Sequence, residues 1–165
     1  MSPPKPTLHL FCGKVAAGKS TLAAKLADRD ATVLIAEDDW LAALFAEEMS
    51  TPKDYVRYAA KLRWIIGPHI VSLLKAGLSV VLDFQANTVE SRAWMREILE
   101  QTDADHALHM LVPPDETCLA RLRARNAGGD HPFSVTEAQF HRIAQHFVPP
   151  TPEEGFDVVV HDQAS

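Results

Sequence analysis

Cysteine is scarce in this chain: Cys12 and Cys118 are the only two, and they form no CxxC pair. That excludes a disulfide framework and a cysteine-based zinc ribbon. Long apolar runs are also missing. Stretches such as residues 78–82 fall far short of the roughly 18–20 residues of a membrane span. Positive charge is in deficit, with 16 Lys and Arg against 22 Asp and Glu and a net charge of −6. A chain of that sign is a poor non-specific binder of nucleic acid or anionic membrane, although a local basic groove is compatible with it. There is no repeat and no low-complexity tract. The first six residues, MSPPKP, are too polar and proline-rich for a signal peptide, so the cytoplasm is the expected location. Eight histidines are scattered, and none pairs at metal-ligand spacing beside other ligands. His106 and His109 share one expected strand and face opposite sides, so no zinc site is expected.

What the chain does have is 165 residues, 47% of them hydrophobic, enough for one domain with a sizeable core. Short apolar runs alternate with helical stretches. Residues 7–12, 32–35, 79–83, 106–112 and 157–161 read as strands. Helices are expected over residues 19–27, 39–48, 88–101, 113–125 and 134–146, the last opened by a Ser134–Glu137 capping box. Asp38 or Asp39 is the expected N-cap of the second helix, and Thr88 that of the fourth. Apolar residues at Tyr55, Ala59, Leu62, Ile66, Ile70 and Leu73 mark one face of another helix. Gly67-Pro68 is expected to kink or break it, with Gly77 closing it. Residues 1–6 and 162–165 read as loose ends. Strand–helix alternation with apolar strands predicts a single α/β domain: a doubly wound, parallel, five-stranded sheet with helices on both faces.

One motif carries chemistry outright. Gly13, Lys14, Val15, Ala16, Ala17, Gly18, Lys19 and Ser20, followed by Thr21, match G-x-x-x-x-G-K-[ST] between a strand and a helix. Glycines let the backbone curl until its N–H groups point at phosphate oxygens, and the helix dipole adds to that field. Lys19 would reach the β- and γ-phosphates of ATP, and the Ser20 hydroxyl would ligate Mg²⁺. Asp83 ends an apolar strand and suits the second Mg²⁺ position. Phe84 follows it, not the Glu that often activates water in ATPases, and no N-K-x-D guanine-reading motif exists. Both absences point from hydrolase or GTPase toward kinase. Asp38, beyond the second strand, can accept the proton of an attacking hydroxyl, with Asp39 as the cap. Arg121 and Arg125 are four apart on one helix face, while Arg123 points elsewhere. They lead into residues 126–132 and suggest a small lid over ATP spanning residues 121–135.

The ordered set resembles the small P-loop kinases grouped with zeta toxins, chloramphenicol phosphotransferase and the kinase domain of bacteriophage polynucleotide kinase. The cradle, Asp38, the segment Val81-Leu82-Asp83 with Asn87 and Arg92, and Cys118 to Arg121 with Arg125 all carry that likeness, as does the closing segment 147–157. The resemblance implies ATP-dependent, Mg²⁺-assisted phosphoryl transfer to a hydroxyl. Many relatives carry a basic residue three positions after the Asp. Leu41 stands there in this chain, which disfavours a phosphate-bearing or polynucleotide acceptor.

The long segment 41–77 is expected to cover the acceptor. It and its flank supply Trp40, Phe45, Tyr55, Tyr58 and Trp64 beside Arg57, Lys61 and Arg63, a set able to stack on a ring. The leading expectation is a kinase acting on a small molecule: an antibiotic, a nucleoside or a sugar-like acceptor. The alternatives are a polynucleotide 5′-hydroxyl kinase and an ATP-binding switch with little or no turnover.

Overall fold

A computed structural model describes residues 5–129 and 134–161. Most of the expected loose ends, and residues 130–133 of the expected lid, lie outside the described residues. Five strands, β1 (Thr7–Cys12), β2 (Thr32–Ala36), β3 (Ser79–Gln85), β4 (Asp105–Leu111) and β5 (Val158–His161), form one sheet in the order β2-β3-β1-β4-β5. Every pairing is parallel, as the apolar, β-branched strands predict. Six α-helices cover it: α1 (Lys19–Ala27), α2 (Glu37–Phe45), α3 (Pro52–Lys75), α4 (Val89–Glu100), α5 (Asp115–Gly128) and α6 (Glu137–Ala144).

Strand alternation splits the core between two faces. Leu8, Leu10, Leu82 and Leu108 face one way, packing on α3 and α4 through Leu62, Ile66, Ile70 and Met95. On the other face Phe11 and Val81 meet Ala23 and Leu26 of α1. Leu111 meets Cys118 and Leu122 of α5 and Phe140 of α6. Both cysteines are free and buried. Burial pushes the Cys12 thiol up to about 11, so it is no nucleophile.

Three local expectations are corrected. The helix after β2 starts at Glu37 with Ala36 as its N-cap, so Asp38 and Asp39 lie inside its first turn and do not cap it. The reason is tertiary: Glu37 is drawn into the core by Arg63 Nε, 3.2 Å from its Oε2. The Gly67-Pro68 break does not occur, and α3 runs unbroken for 24 residues. Pro68 and Trp64, whose carbonyl loses its donor, both lie on the solvent face, where water can replace the bond. The penalty of an interior Pro, about 3 kcal/mol, is offset by burial of Leu62, Ile66, Ile70, Val71 and Leu74, each contributing about 1.5–3 kcal/mol. The capping box of α6 is Thr136 with Gln139, not Ser134 with Glu137, because Glu137 is engaged by Arg123.

Two other ends match the sequence. Thr88 Oγ1 accepts from the Ser91 N–H at the start of α4. Gly77, with φ of 91°, follows the α3 C-cap, Ala76. The Leu78 N–H reaches the Leu73 carbonyl and the Gly77 N–H the Leu74 carbonyl, a Schellman closure.

Three histidines join neighbouring strands side by side. His9 Nδ1 lies 3.0 Å from His109 Nε2, and His109 Nδ1 lies 2.9 Å from His161 Nε2. Burial, then the His9 and His161 rings and the Arg29 charge, push His109 down to about 4. The folded state therefore keeps His109 neutral where the unfolded chain, titrating near 6.5, takes up a proton. Stability is fully present above pH 6.5 and is lost as pH falls toward 4. Urea unfolding across that range is expected to show a loss on the order of 2 kcal/mol from this group. His109→Gln should flatten the slope, and an unchanged slope would remove His109 as its source.

Candidate active site

The C-terminal ends of the strands carry the cradle. Gly13 has φ of 151°, and a Cβ there would sit 2.7 Å from the Leu111 carbonyl oxygen, so only glycine fits. Gly18, with φ of 104°, is the N-cap of α1 and has no side chain to satisfy the helix's first N–H groups. Those donors remain available to an anion. Lys19 Nζ folds back onto the loop and donates to the Gly13 and Lys14 carbonyls at 2.5 and 2.8 Å. Burial, opposed by the Asp83 charge, pushes this ammonium down to about 8. A cation held in that state gains by meeting phosphate.

Asn87, quoted from the sequence only for its place in the motif order, clamps the loop. Its Oδ1 accepts from the Gly13 N–H and its Nδ2 donates to the Gly13 carbonyl, both at 2.9 Å. Behind it, the Val148 N–H donates to the Asn87 carbonyl. Arg92, 0% exposed, pairs with Glu154 at 2.7 Å and donates to the Ala86 and Val148 carbonyls. The closing segment thus braces the cradle from outside it. Nothing local in the sequence announces this, because each partner is remote along the chain.

The Ser20 hydroxyl donates to Asp83 Oδ2 at 2.8 Å. Burial raises the Asp83 carboxyl above its usual range, against the pull of Ser20 and Lys19. A hydroxyl and an under-compensated carboxylate side by side are hard oxygen donors that fit Mg²⁺. Among the described residues no group of three or more His, Cys, Asp and Glu converges to hold a metal.

Ala36 pairs with Asp83 across β2 and β3, so the α2 carboxylates rise beside the Ser20–Asp83 pair. Tyr55 of α3 donates its hydroxyl to Asp38 Oδ1 at 2.7 Å. Glu37, 3% exposed, is raised by burial and held by Arg63. Asp39 is exposed. From the α5 side, Arg121 Nη1 donates to the Ala17 carbonyl at 3.2 Å. Arg125 Nε is buried with no hydrogen-bond partner among the described residues, and the Asp38 charge acts on its guanidinium. Arg123 turns away to Glu137. Lys14 ties the loop to Asp115 at the start of α5, at 2.7 Å.

Of the ring and cation set expected to face an acceptor, Tyr55 and Arg63 reach the α2 carboxylates. Phe45 stacks on Tyr58 at 4.6 Å, and Arg57 and Lys61 lie over the Tyr58 ring. Trp64 is 80% exposed. A cavity of about 280 Å³ beside the cradle is lined by Lys14, Val112, Pro113, Asp115 and Phe147 among others. Another, of about 360 Å³, lies at the opposite end of the sheet near Lys5, Lys75 and Asp103, away from this chemistry.

Among the described residues no helix is long and apolar enough to cross a membrane. No curated protein matches the chain in sequence. A candidate kinase from Chloroflexus aurantiacus shares its fold with a TM-score of 0.76 at 19% identity, over 96% of this chain and 85% of its own. Kti12 of Chaetomium thermophilum, in complex with ADP-AlF3, gives 0.72 at 12% identity over 95% and 89%. The APS kinase of Mycobacterium tuberculosis, in complex with AMPPNP and APS, gives 0.63 at 20% identity over 98% and 92%. These likenesses establish a kinase-like P-loop fold. In sequence, the model of the AAA domain matches residues 8–150, and the chain belongs to that family.

Proposed function

We propose that the protein is a cytoplasmic kinase of the zeta-toxin and chloramphenicol-phosphotransferase kind. It transfers the γ-phosphoryl group of ATP to a hydroxyl of a small molecule such as an antibiotic, a nucleoside or a sugar-like compound. The observation that carries this reading is the convergence of Lys19, the Ser20–Asp83 pair, Asp38 and Arg125 at one sheet end. Two structural relatives bound to nucleotide analogues support ATP as the donor. Residues 13–21 cradle the phosphates, and Lys19 turns from the loop carbonyls to the β- and γ-oxygens. Ser20 and Asp83 would hold Mg²⁺, and the ion would supply charge neutralisation at those oxygens. The acceptor oxygen attacks the γ-phosphorus, the bond to the β-phosphate bridging oxygen breaks, and ADP leaves. The acceptor's proton passes to the Asp38 carboxylate. Arg121 and Arg125 of α5 supply guanidiniums to the transferring phosphoryl group. Arg125 Nε, with no hydrogen-bond partner among the described residues, favours a bound anion there.

Segment 41–77 covers the acceptor. Leu41 is fully buried, so the place where many relatives carry a cation belongs to the core, which weighs against a phosphate-bearing acceptor. A panel of hydroxyl compounds with γ-labelled ATP tests the proposal, with a 5′-hydroxyl oligonucleotide as one arm. Label on a small molecule is the expected result. Label on the oligonucleotide alone would make this a polynucleotide kinase, and slow hydrolysis indifferent to the whole panel would make it a nucleotide switch.

A further inference from the structure

Asp38 stands among like charges. Glu37 and Asp39 flank it in the first turn of α2, and its charge acts on Asp83 of β3. Arg125 of α5 is an opposing charge coupled to Asp38, and Arg63 of α3 is one coupled to Glu37. A rigid donor limits how such a carboxylate turns about its Cβ–Cγ bond. Glu37 is pinned: Arg63 Nε holds it at 3.2 Å, and Arg63 is held in turn by Ser91 Oγ at 3.0 Å and by the Phe84 and Trp94 rings.

Tyr55 is a donor to Asp38. Its hydroxyl lies 2.7 Å from Asp38 Oδ1 and 3.4 Å from Glu37 Oε1. One hydrogen serves one acceptor well, and the shorter contact is to Asp38. Burial, then the Glu37 and Asp38 charges, hold the phenol far above its ordinary value, so it stays a donor at every physiological pH. Tyr55 sits in the first turn of α3, behind a capping box of Thr51 and Asp54. Its ring packs against the core that anchors α3. The hydroxyl is therefore delivered by a rigid element, and a phenylalanine would satisfy the packing without it.

Building on Asp38 as the base, we propose that Tyr55 is a positioning residue: its hydroxyl holds the Asp38 carboxylate in the orientation from which it takes the acceptor's proton. A misplacement of about 1 Å at a reacting group costs on the order of 10²-fold in rate. Tyr55→Phe is thus expected to lower kcat by about 10- to 100-fold with little change in the KM for ATP.

The test is a double-mutant cycle on single-turnover phosphoryl transfer, with the acceptor found by the panel, or with water as the hydroxyl if none is found. Wild type, Tyr55→Phe, Asp38→Asn and the double variant are compared well below their thermal midpoints. The expected result is a slow Tyr55→Phe whose effect vanishes in the Asp38→Asn background. A slow Asp38→Asn with a fast Tyr55→Phe, or with additive losses, overturns the positioning role and leaves the base in place. A fast Asp38→Asn removes the base itself, and the role of Tyr55 with it. Should Tyr55→Phe fail to fold, Tyr55→Leu fills the same apolar stripe without a hydroxyl and repeats the cycle.

Discussion

Lys19→Ala is expected to abolish phosphoryl transfer from ATP, with a loss of about 10³-fold or more. Lys19 adds a cation to a loop whose other lysine, Lys14, is tied to Asp115 and which otherwise offers backbone N–H groups. The Lys19 Nζ rests on the Gly13 and Lys14 carbonyls, inside the loop proposed to cradle the phosphates. The substitution should leave the fold standing. Two charged hydrogen bonds disappear, each contributing about 1.5–3 kcal/mol, but so does a buried ammonium whose burial pushes it down to about 8. The two changes oppose each other, and Asn87 still clamps Gly13. Calorimetric titration with MgATP, a thermal midpoint and a transfer assay together decide the matter. A variant that transfers phosphate at the wild-type rate would falsify the assignment of the cradle.

Asp38→Asn should lower transfer by about 10²–10⁴-fold, the range for a positioned base. Asn keeps the shape and an oxygen to accept the Tyr55 hydroxyl, so the first turn of α2 is preserved. It cannot accept the acceptor's proton. MgATP binding should change little, because the proposed phosphate cradle is residues 13–20. A loose transition state asks less of a base and would place the loss at the low end. Asp39→Asn is the control. Asp39 is exposed, and Ala36, not Asp39, is the helix cap. Its charge acts through the helix dipole, about 0.3–1 kcal/mol, and as the weakest of the charges that raise Asp83. Single-turnover rates for the two variants separate the roles. If Asp39→Asn is the slow one, the base lies one residue further along; if neither is slow, transfer proceeds without a general base.

The parts legible in sequence are those whose physics is local. The cradle is eight consecutive residues whose glycines and lysine can be read by spacing alone, and a strand before and a helix after it confirm the setting. Strand periodicity and apolar content predict the parallel sheet, because a strand covered on both faces must be apolar throughout. Helical spacing separates Arg121 and Arg125 from Arg123, since residues four apart share a face; the first reaches the loop, and Arg123 turns to Glu137. The Thr88 cap is likewise a short-range bond.

Tertiary structure decides what depends on partners far apart in the chain. Asn87 meets Gly13 across 74 positions, Arg92 meets Glu154 across 62, and His9 meets His109 across 100, and no periodicity encodes such pairs. Glu37 reads as a loop carboxylate until Arg63 arrives from another helix; the pairing draws it inward and starts α2 ahead of Asp38. Pro68 reads as a break until its face proves to be the solvent face, where a missing hydrogen bond costs least. Tyr55 reads as one aromatic on a core stripe. Its contact with Asp38 exists because α2 and α3 pack together, and packing is a property of the whole chain rather than of any window along it.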